Sequence, residues 1–222
     1  MLCSCCDFER AADGQFTAEK AAKELESYRK GRLGPTTRLL RDGVVQAGLH
    51  QGSLLDIGGG VGALTFELVE RGITSAIIAD ASVAYAATAR DEAHRRGQAG
   101  RVQIVRGDVL HSALPSAHLV TLDRVVCCYP SYESLLHEAL RHATGGFALS
   151  YPRDRWHVRA AVWFENVRRA RKNGFRTFVH PPVRMQEIIQ NAGFDLTSRR
   201  VTLAWTIDVY VRSPASSLDG SD

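Results

Sequence analysis

No apolar run in the 222 residues approaches the roughly 18 that a membrane-spanning helix needs. The amino-terminal MLCSCCDFER lacks the basic-then-apolar order of a secretory leader. Both absences point to a soluble, cytoplasmic protein without a membrane span. A disulfide framework is also missing. The five cysteines, Cys3, Cys5, Cys6, Cys127 and Cys128, are odd in number and fall in two adjacent sets. The run CSCC has neither the spaced pairs nor the partner histidines of a zinc site, so no metal is expected. Nor is there strong charge of one sign: a net +4 is too little to argue for nucleic acid. Internal repeats are absent. What remains is 45% hydrophobic residues, enough for one globular domain with a sizeable core.

Residues 1–16 read as irregular. TAEKAAKELESY, from Thr17 to Tyr28, reads as a helix with Thr17 as N-cap, and TTRLLRDGVVQAG resumes a helical pattern after RKGRLGP. Between residues 52 and 152 short apolar runs alternate with helical segments. SLLDIG, SAIIAD, RVQIVRGD, HLVTLDRVV and GGFALSY read as strands, with helices between most of them. Such alternation implies right-handed crossovers and a parallel sheet covered on both faces. After a helix around 155–172, FRTFVHP and VTLAWTIDVYVR read as two further strands, separated by the helix PVRMQEIIQNAG. The division expected is a helical lid or cap over 1–50, the main domain over 51–212, and a disordered tail over 213–222, SPASSLDGSD.

The stretch LLDIGGGVGALTFEL carries glycines 58, 59, 60 and 62 between a strand and a helix. Glycines there let a ligand lie against the backbone at a helix N-terminus. Gly58, Gly60 and Ala63 also fit a permissive dinucleotide fingerprint. Asp56 separates the two ligand classes. A carboxylate aimed into the cradle repels a pyrophosphate but suits a ligand with cationic groups, such as the ammonium and sulfonium of S-adenosylmethionine. Asp80 ends the second strand, where a carboxylate can accept both ribose hydroxyls. Asp108 follows the third. Parallel strands bring all three acids to one sheet edge, where open α/β folds bind their ligands.

LLDIGGGVG, AIIAD and RGDV, followed by LVTLDRVV, resemble the successive motifs of class I S-adenosylmethionine-dependent methyltransferases, from about Tyr28 to Arg212. The resemblance implies a three-layer α/β sandwich around a seven-stranded, mostly parallel sheet of order 3-2-1-4-5-7-6 whose last strand is antiparallel. It implies that Asp56, Gly58, Gly59 and Gly60 meet the methionine part of the cofactor. Asp80, with Ala81 and Ser82, would meet the ribose, and Gly107, Asp108 and Val109 the adenine. Asp123 and Arg124 would approach the sulfonium, and Tyr28 belongs to a segment, YRKGRLG, that folds over the cofactor. Small-molecule methyltransferases acting on magnesium protoporphyrin or quinone precursors are similar in layout, but no motif fixes that substrate.

Methyl transfer is an in-line displacement in which positioning supplies much of the rate. In the architecture the resemblance implies, strand 4 delivers residues to the methyl group, which makes Tyr129, directly after it, a candidate to orient the acceptor; His180, in FVHPP, is a candidate general base. The function expected is therefore methyl transfer from S-adenosylmethionine, leaving S-adenosylhomocysteine, to a small-molecule acceptor, by a monomer or homodimer. Two alternatives stay open: an RNA or protein methyltransferase using the basic helix end at Arg168, Arg169, Arg171 and Lys172, and a soft thiol or metalloid acceptor held by the cysteines. No nucleic-acid-binding module is visible, and a nicotinamide-dependent oxidoreductase is disfavoured by Asp56.

Overall fold

The structure, a computed structural model, describes residues 4–171 and 174–214; Cys3, Lys172 and the tail beyond residue 214 lie outside the described residues, as do the side chains up to residue 9. Three helices come first: α1 Ser4–Gln15, α2 Ala18–Arg29 and α3 Pro35–Gln46. Strands and helices then alternate as β1 Gly52–Ile57, α4 Ala63–Val69, β2 Ile73–Asp80, α5 Val83–Arg95, β3 Val102–Arg106, β4 Ala117–Asp123, α6 Tyr132–His142 and β5 Ala143–Pro152. The chain closes with α7 Trp156–Ala170, α8 Pro182–Asn191, β6 Phe194–Val201 and β7 Trp205–Arg212.

All seven strands form one sheet of order β3-β2-β1-β4-β5-β7-β6. The pairs among β1 to β5 are parallel, and β7 runs antiparallel to both β5 and β6. This is the expected topology. The central strands are apolar without a polar face because helices cover both sides of the sheet. Successive side chains alternate between two cores. Leu55, Val120 and Leu149 pack with α6 and α8 on one face. Leu54, Leu119 and Ala148 pack with α3, α4 and α5 on the other.

Local chemistry explains some element ends. Pro35 opens α3 at a position where its missing N–H costs no hydrogen bond. Ser82 caps α5, its hydroxyl accepting from Tyr85 N–H at 3.3 Å.

Four expectations need correction. Residues 4–15 are helical, not irregular. The strand read over HLVTLDRVV stops at Asp123, because Arg124 takes a left-handed φ of 63° and the chain enters a short helical turn, Val126–Cys128. FRTFVHP is not a strand. Its backbone groups are satisfied outside the sheet: Thr177 N–H and C=O pair with the Asn166 side chain, and Phe178 N–H donates to the Cys127 carbonyl at 2.7 Å. The sixth strand is FDLTSRRV instead, directly hairpin-linked to β7. As an edge strand it buries only alternate residues and carries little apolar signal.

Candidate active site

Strands β1, β2 and β4 end at one edge of the sheet, which brings Asp56, Asp80 and Asp123 together around the glycine loop 58–62. The loop is packed tightly from below. A methyl group on Gly59 would lie 2.7 Å from Asp56 Oδ2. Gly62, the N-cap of α4, has a left-handed φ of 84° and would meet the Phe66 ring at 2.7 Å. Apart from Val61, the loop thus presents backbone, not side chains, to the space above it.

Asp56 is 1% exposed. Thr65 Oγ1 donates to its Oδ2 and Thr121 Oγ1 to its Oδ1, each at 2.7 Å. Burial pushes its pKa up to about 7; the two threonine hydroxyls pull it down, and the negative charges of Asp123 and Asp80 push it up. Asp80 accepts from Gly60 N–H at 2.9 Å and from Ser82 N–H at 2.8 Å. Burial raises it to about 6 against those two hydrogen bonds. Asp123 accepts from Ser150 and Thr37 hydroxyls, both at 2.5 Å. The three carboxylates make a region where positive charge is welcome and further negative charge is not.

Above the loop lies a cavity of about 650 Å³, a volume in the range of small-molecule sites. Its floor includes Asp56, Gly58, Gly59, Gly60, Asp80 and Asp123. Ala81, Gly107, Arg124 and Tyr129 also line it. The far walls are mostly apolar, with Phe16, Val158, Val162, Phe175, Leu203 and Trp205, interrupted by Glu165 and Arg169.

Five expected site residues do not line this cavity. Tyr28 is buried under the Arg96 guanidinium, 4.8 Å from its ring centroid, and its hydroxyl is 3.4 Å from Glu67 Oε1. Ser82 is consumed as a helix cap and donates to the Phe16 carbonyl at 2.9 Å. Asp108 caps a short helical turn through Leu110 N–H and accepts the Tyr129 hydroxyl at 2.5 Å, and Val109 is buried in the core beside it. His180 faces away from the cavity: its Nε2 meets the Val126 carbonyl at 3.1 Å, and its ring stacks between Tyr132 and Phe178. Burial holds its pKa below the ordinary value, opposed by the Tyr129 and Val126 carbonyls. Tyr129 does reach the cavity, but its hydroxyl is committed to Asp108, and burial with that hydrogen bond raises its pKa far above the usual range. It is thus no base at neutral pH.

Cys127 and Cys128 both line the cavity as free thiols, their sulfurs 4.0 Å apart. The contact with Cys128 and burial raise Cys127; the contact with Cys127, with Arg169 and Arg124 nearby, lowers Cys128 despite burial. The side chains of Cys5 and Cys6 are outside the described residues.

Sequence reasoning expected a cap over 1–50 but named no site residue before Tyr28. Ala12 and Gln15 of α1, with Phe16 after it, reach the cavity. Phe16 packs edge-on against Tyr85 and Phe175, at 5.5 and 5.3 Å between centroids. Asp13 Oδ1 accepts from Val83 N–H at 2.9 Å, fastening the segment to the start of α5. The recurrence of Phe8, Ala12 and Phe16 every four residues was the available signal.

Residues 54–146 match a family model described as a methyltransferase domain. Over those residues the chain is similar to that domain. The matched stretch spans β1 to the start of β5, including the glycine loop and all three floor carboxylates. No curated protein matches the chain significantly. Among solved structures, magnesium protoporphyrin IX methyltransferase from Synechocystis PCC 6803, with bound SAH, is similar at 18% identity and a TM-score of 0.67, over 80% of this chain and 82% of that one. An O-methyltransferase family protein from Burkholderia thailandensis gives 16% and 0.66, over 90% and 64%. The 4+2 cyclase SpnF gives 16% and 0.61, over 80% and 81%. At such identities the likeness is one of fold, and a cyclase among the three shows that the fold hosts more than one chemistry.

Proposed function

We propose that this protein transfers the methyl group of S-adenosylmethionine to a small acceptor held against the apolar walls of the cavity, releasing S-adenosylhomocysteine. The observation that carries this is the meeting of three carboxylates and a glycine-rich loop on the floor of one cavity whose opposite walls are mostly apolar. The donor supplies a methyl group already activated by a positively charged sulfur. The protein's residues bind, orient and exclude water.

Asp80 holds the ribose: each of its oxygens takes one backbone N–H and keeps an acceptor direction for a hydroxyl. Gly107 and Ala81 border the adenine. Asp123 and Arg124 flank the methionine end. Asp56 lies beneath Gly59 with both oxygens engaged, so it acts through its field and not by direct contact. Residues 1–50 serve as a cap over the domain of 51–212, which the reach of Phe16, Glu24 and Thr37 into the cavity supports. Among the described residues no helix is long and apolar enough to cross a membrane, and we place the protein in the cytoplasm, as a monomer or homodimer.

Calorimetry with S-adenosylmethionine, S-adenosylhomocysteine and NAD tests the assignment. The first two should bind and NAD should not, and Asp80→Ala should weaken both by at least tenfold. Binding of NAD alone would overturn it. Incubating a cell extract with the protein and methyl-labelled donor, followed by mass spectrometry, then identifies the acceptor.

A soft, thiophilic acceptor is supported separately by the adjacent Cys127 and Cys128 thiols in the cavity wall. Unchanged turnover of soft acceptors by the double serine variant would remove that assignment.

A further inference from the structure

Helix α7 is unusual in its burial. Of its fifteen residues only Val158 is buried. One side of the helix, with Val158, Ala161, Val162, Glu165 and Arg169, walls the cavity. The opposite side carries Trp156, Ala160, Trp163 and Val167, spaced four, three and four residues apart, with Phe164 beside them. Trp156 is 81% exposed, Trp163 67%, Phe164 65% and Val167 44%. The apolar stripe therefore faces outward, where a helix of a monomeric domain normally places charge. At the cavity rim Leu203 is 82% exposed as well.

Arginines border the stripe on both sides. At helical spacing Arg159, ion-paired with Asp154, falls on one flank and Arg168, ion-paired with Glu165, on the other, with Arg171 at the end of the stripe; all three are exposed. Between Asp154 and Arg171 five arginines face two acids, so the surface is net positive. Two tryptophans and a phenylalanine between long cationic side chains are the composition of a helix lying in a bilayer interface. The rings enter the headgroup boundary, and the arginines extend to the phosphates.

We propose that α7 seats this protein peripherally on an anionic lipid surface through its outward stripe. A second copy of the chain fits less well, because arginine flanks both edges and a two-fold pairing of the stripes sets like charge against like. Because the other face of α7 walls the cavity, a lipid-seated helix keeps the cavity one helix away from the bilayer, where apolar acceptors partition.

The test is co-sedimentation of the full chain with phosphatidylcholine vesicles, with and without phosphatidylglycerol, alongside tryptophan emission. Binding should require phosphatidylglycerol, weaken with salt and shift the emission to the blue. The double variant Trp163→Ser, Phe164→Ser should abolish sedimentation, and Arg171→Gln should weaken it about fivefold. Both variants should retain the wild-type affinity for S-adenosylmethionine, which reports an intact fold and separates this proposal from the catalytic one. Failure to sediment with phosphatidylglycerol vesicles, undiminished sedimentation of the double variant, or a wild-type dimer that the double variant dissolves would each overturn it.

Discussion

Replacing Asp56 with Asn separates the stability of the site from its use. Asp56 is held at a pKa of about 7 against an ordinary 3.8. At about 1.4 kcal/mol for each tenfold change, that gap is about 4 kcal/mol against the native state once the group is fully ionised. The native state keeps a proton that the unfolded chain has lost. The stability Asp56 contributes is thus complete below pH 3.8 and is lost as pH rises through about 7. Roughly 2–3 kcal/mol of the loss develops between pH 5 and pH 8.5. Asn is isosteric and can keep partners in Thr65 and Thr121, but it does not titrate. Any cost of its extra N–H, about 1–3 kcal/mol, is the same at every pH and cancels between the two conditions. The melting temperature of Asp56→Asn relative to wild type should therefore rise by about 4–12 °C between pH 5 and pH 8.5. Differential scanning calorimetry of the ligand-free protein reads this directly. In the same variant S-adenosylmethionine should bind at least tenfold more weakly at pH 8.5. A stability difference that stays flat across that pH range would refute the assignment of Asp56 as a buried, charge-strained carboxylate.

The same geometry sets three further outcomes. Gly59→Ala drives a methyl group to 2.7 Å from Asp56 Oδ2 and 3.0 Å from Ile78; it should cost about 1–3 kcal/mol in urea denaturation and abolish donor binding by calorimetry. Glu92 is fully buried and is bonded by Arg29, Arg95 and Arg96. Despite that burial the arginine hydrogen bonds hold its pKa down at about 2. Its stabilisation is present above pH 4.5 and lost as pH falls toward 2, so Glu92→Gln should destabilise by about 1–3 kcal/mol at pH 7, with a smaller difference at pH 3. His180→Asn should lower the melting temperature but leave the pH profile of methyl transfer unchanged, since the ring does not reach the cavity; loss of the acidic limb of the rate profile, where a base becomes protonated, would restore it as a base.

What the sequence determined by itself is whatever local chemistry decides. Strand and helix alternate from Gly52 to Pro152 because apolar runs, caps and glycine stops are read within a few residues of one another. Asp56, the glycine loop and Asp80 were legible for the same reason: parallel strands bring their ends to one edge whatever the details. Tertiary structure decided where neighbours distant in sequence compete for one side chain. Asp108 and Tyr129 looked like separate site residues until the fold paired them 2.5 Å apart. His180 looked free to act until a carbonyl from residue 126 and two aromatic rings enclosed it. The polar edge strand β6 has no pattern of its own and exists because β7 offers it a hydrogen-bonding partner. The reach of α1 into the cavity and the two-faced helix α7 follow the same logic. Their roles depend on which surface lies opposite, and a linear pattern carries a residue's chemistry but not the group that will meet it.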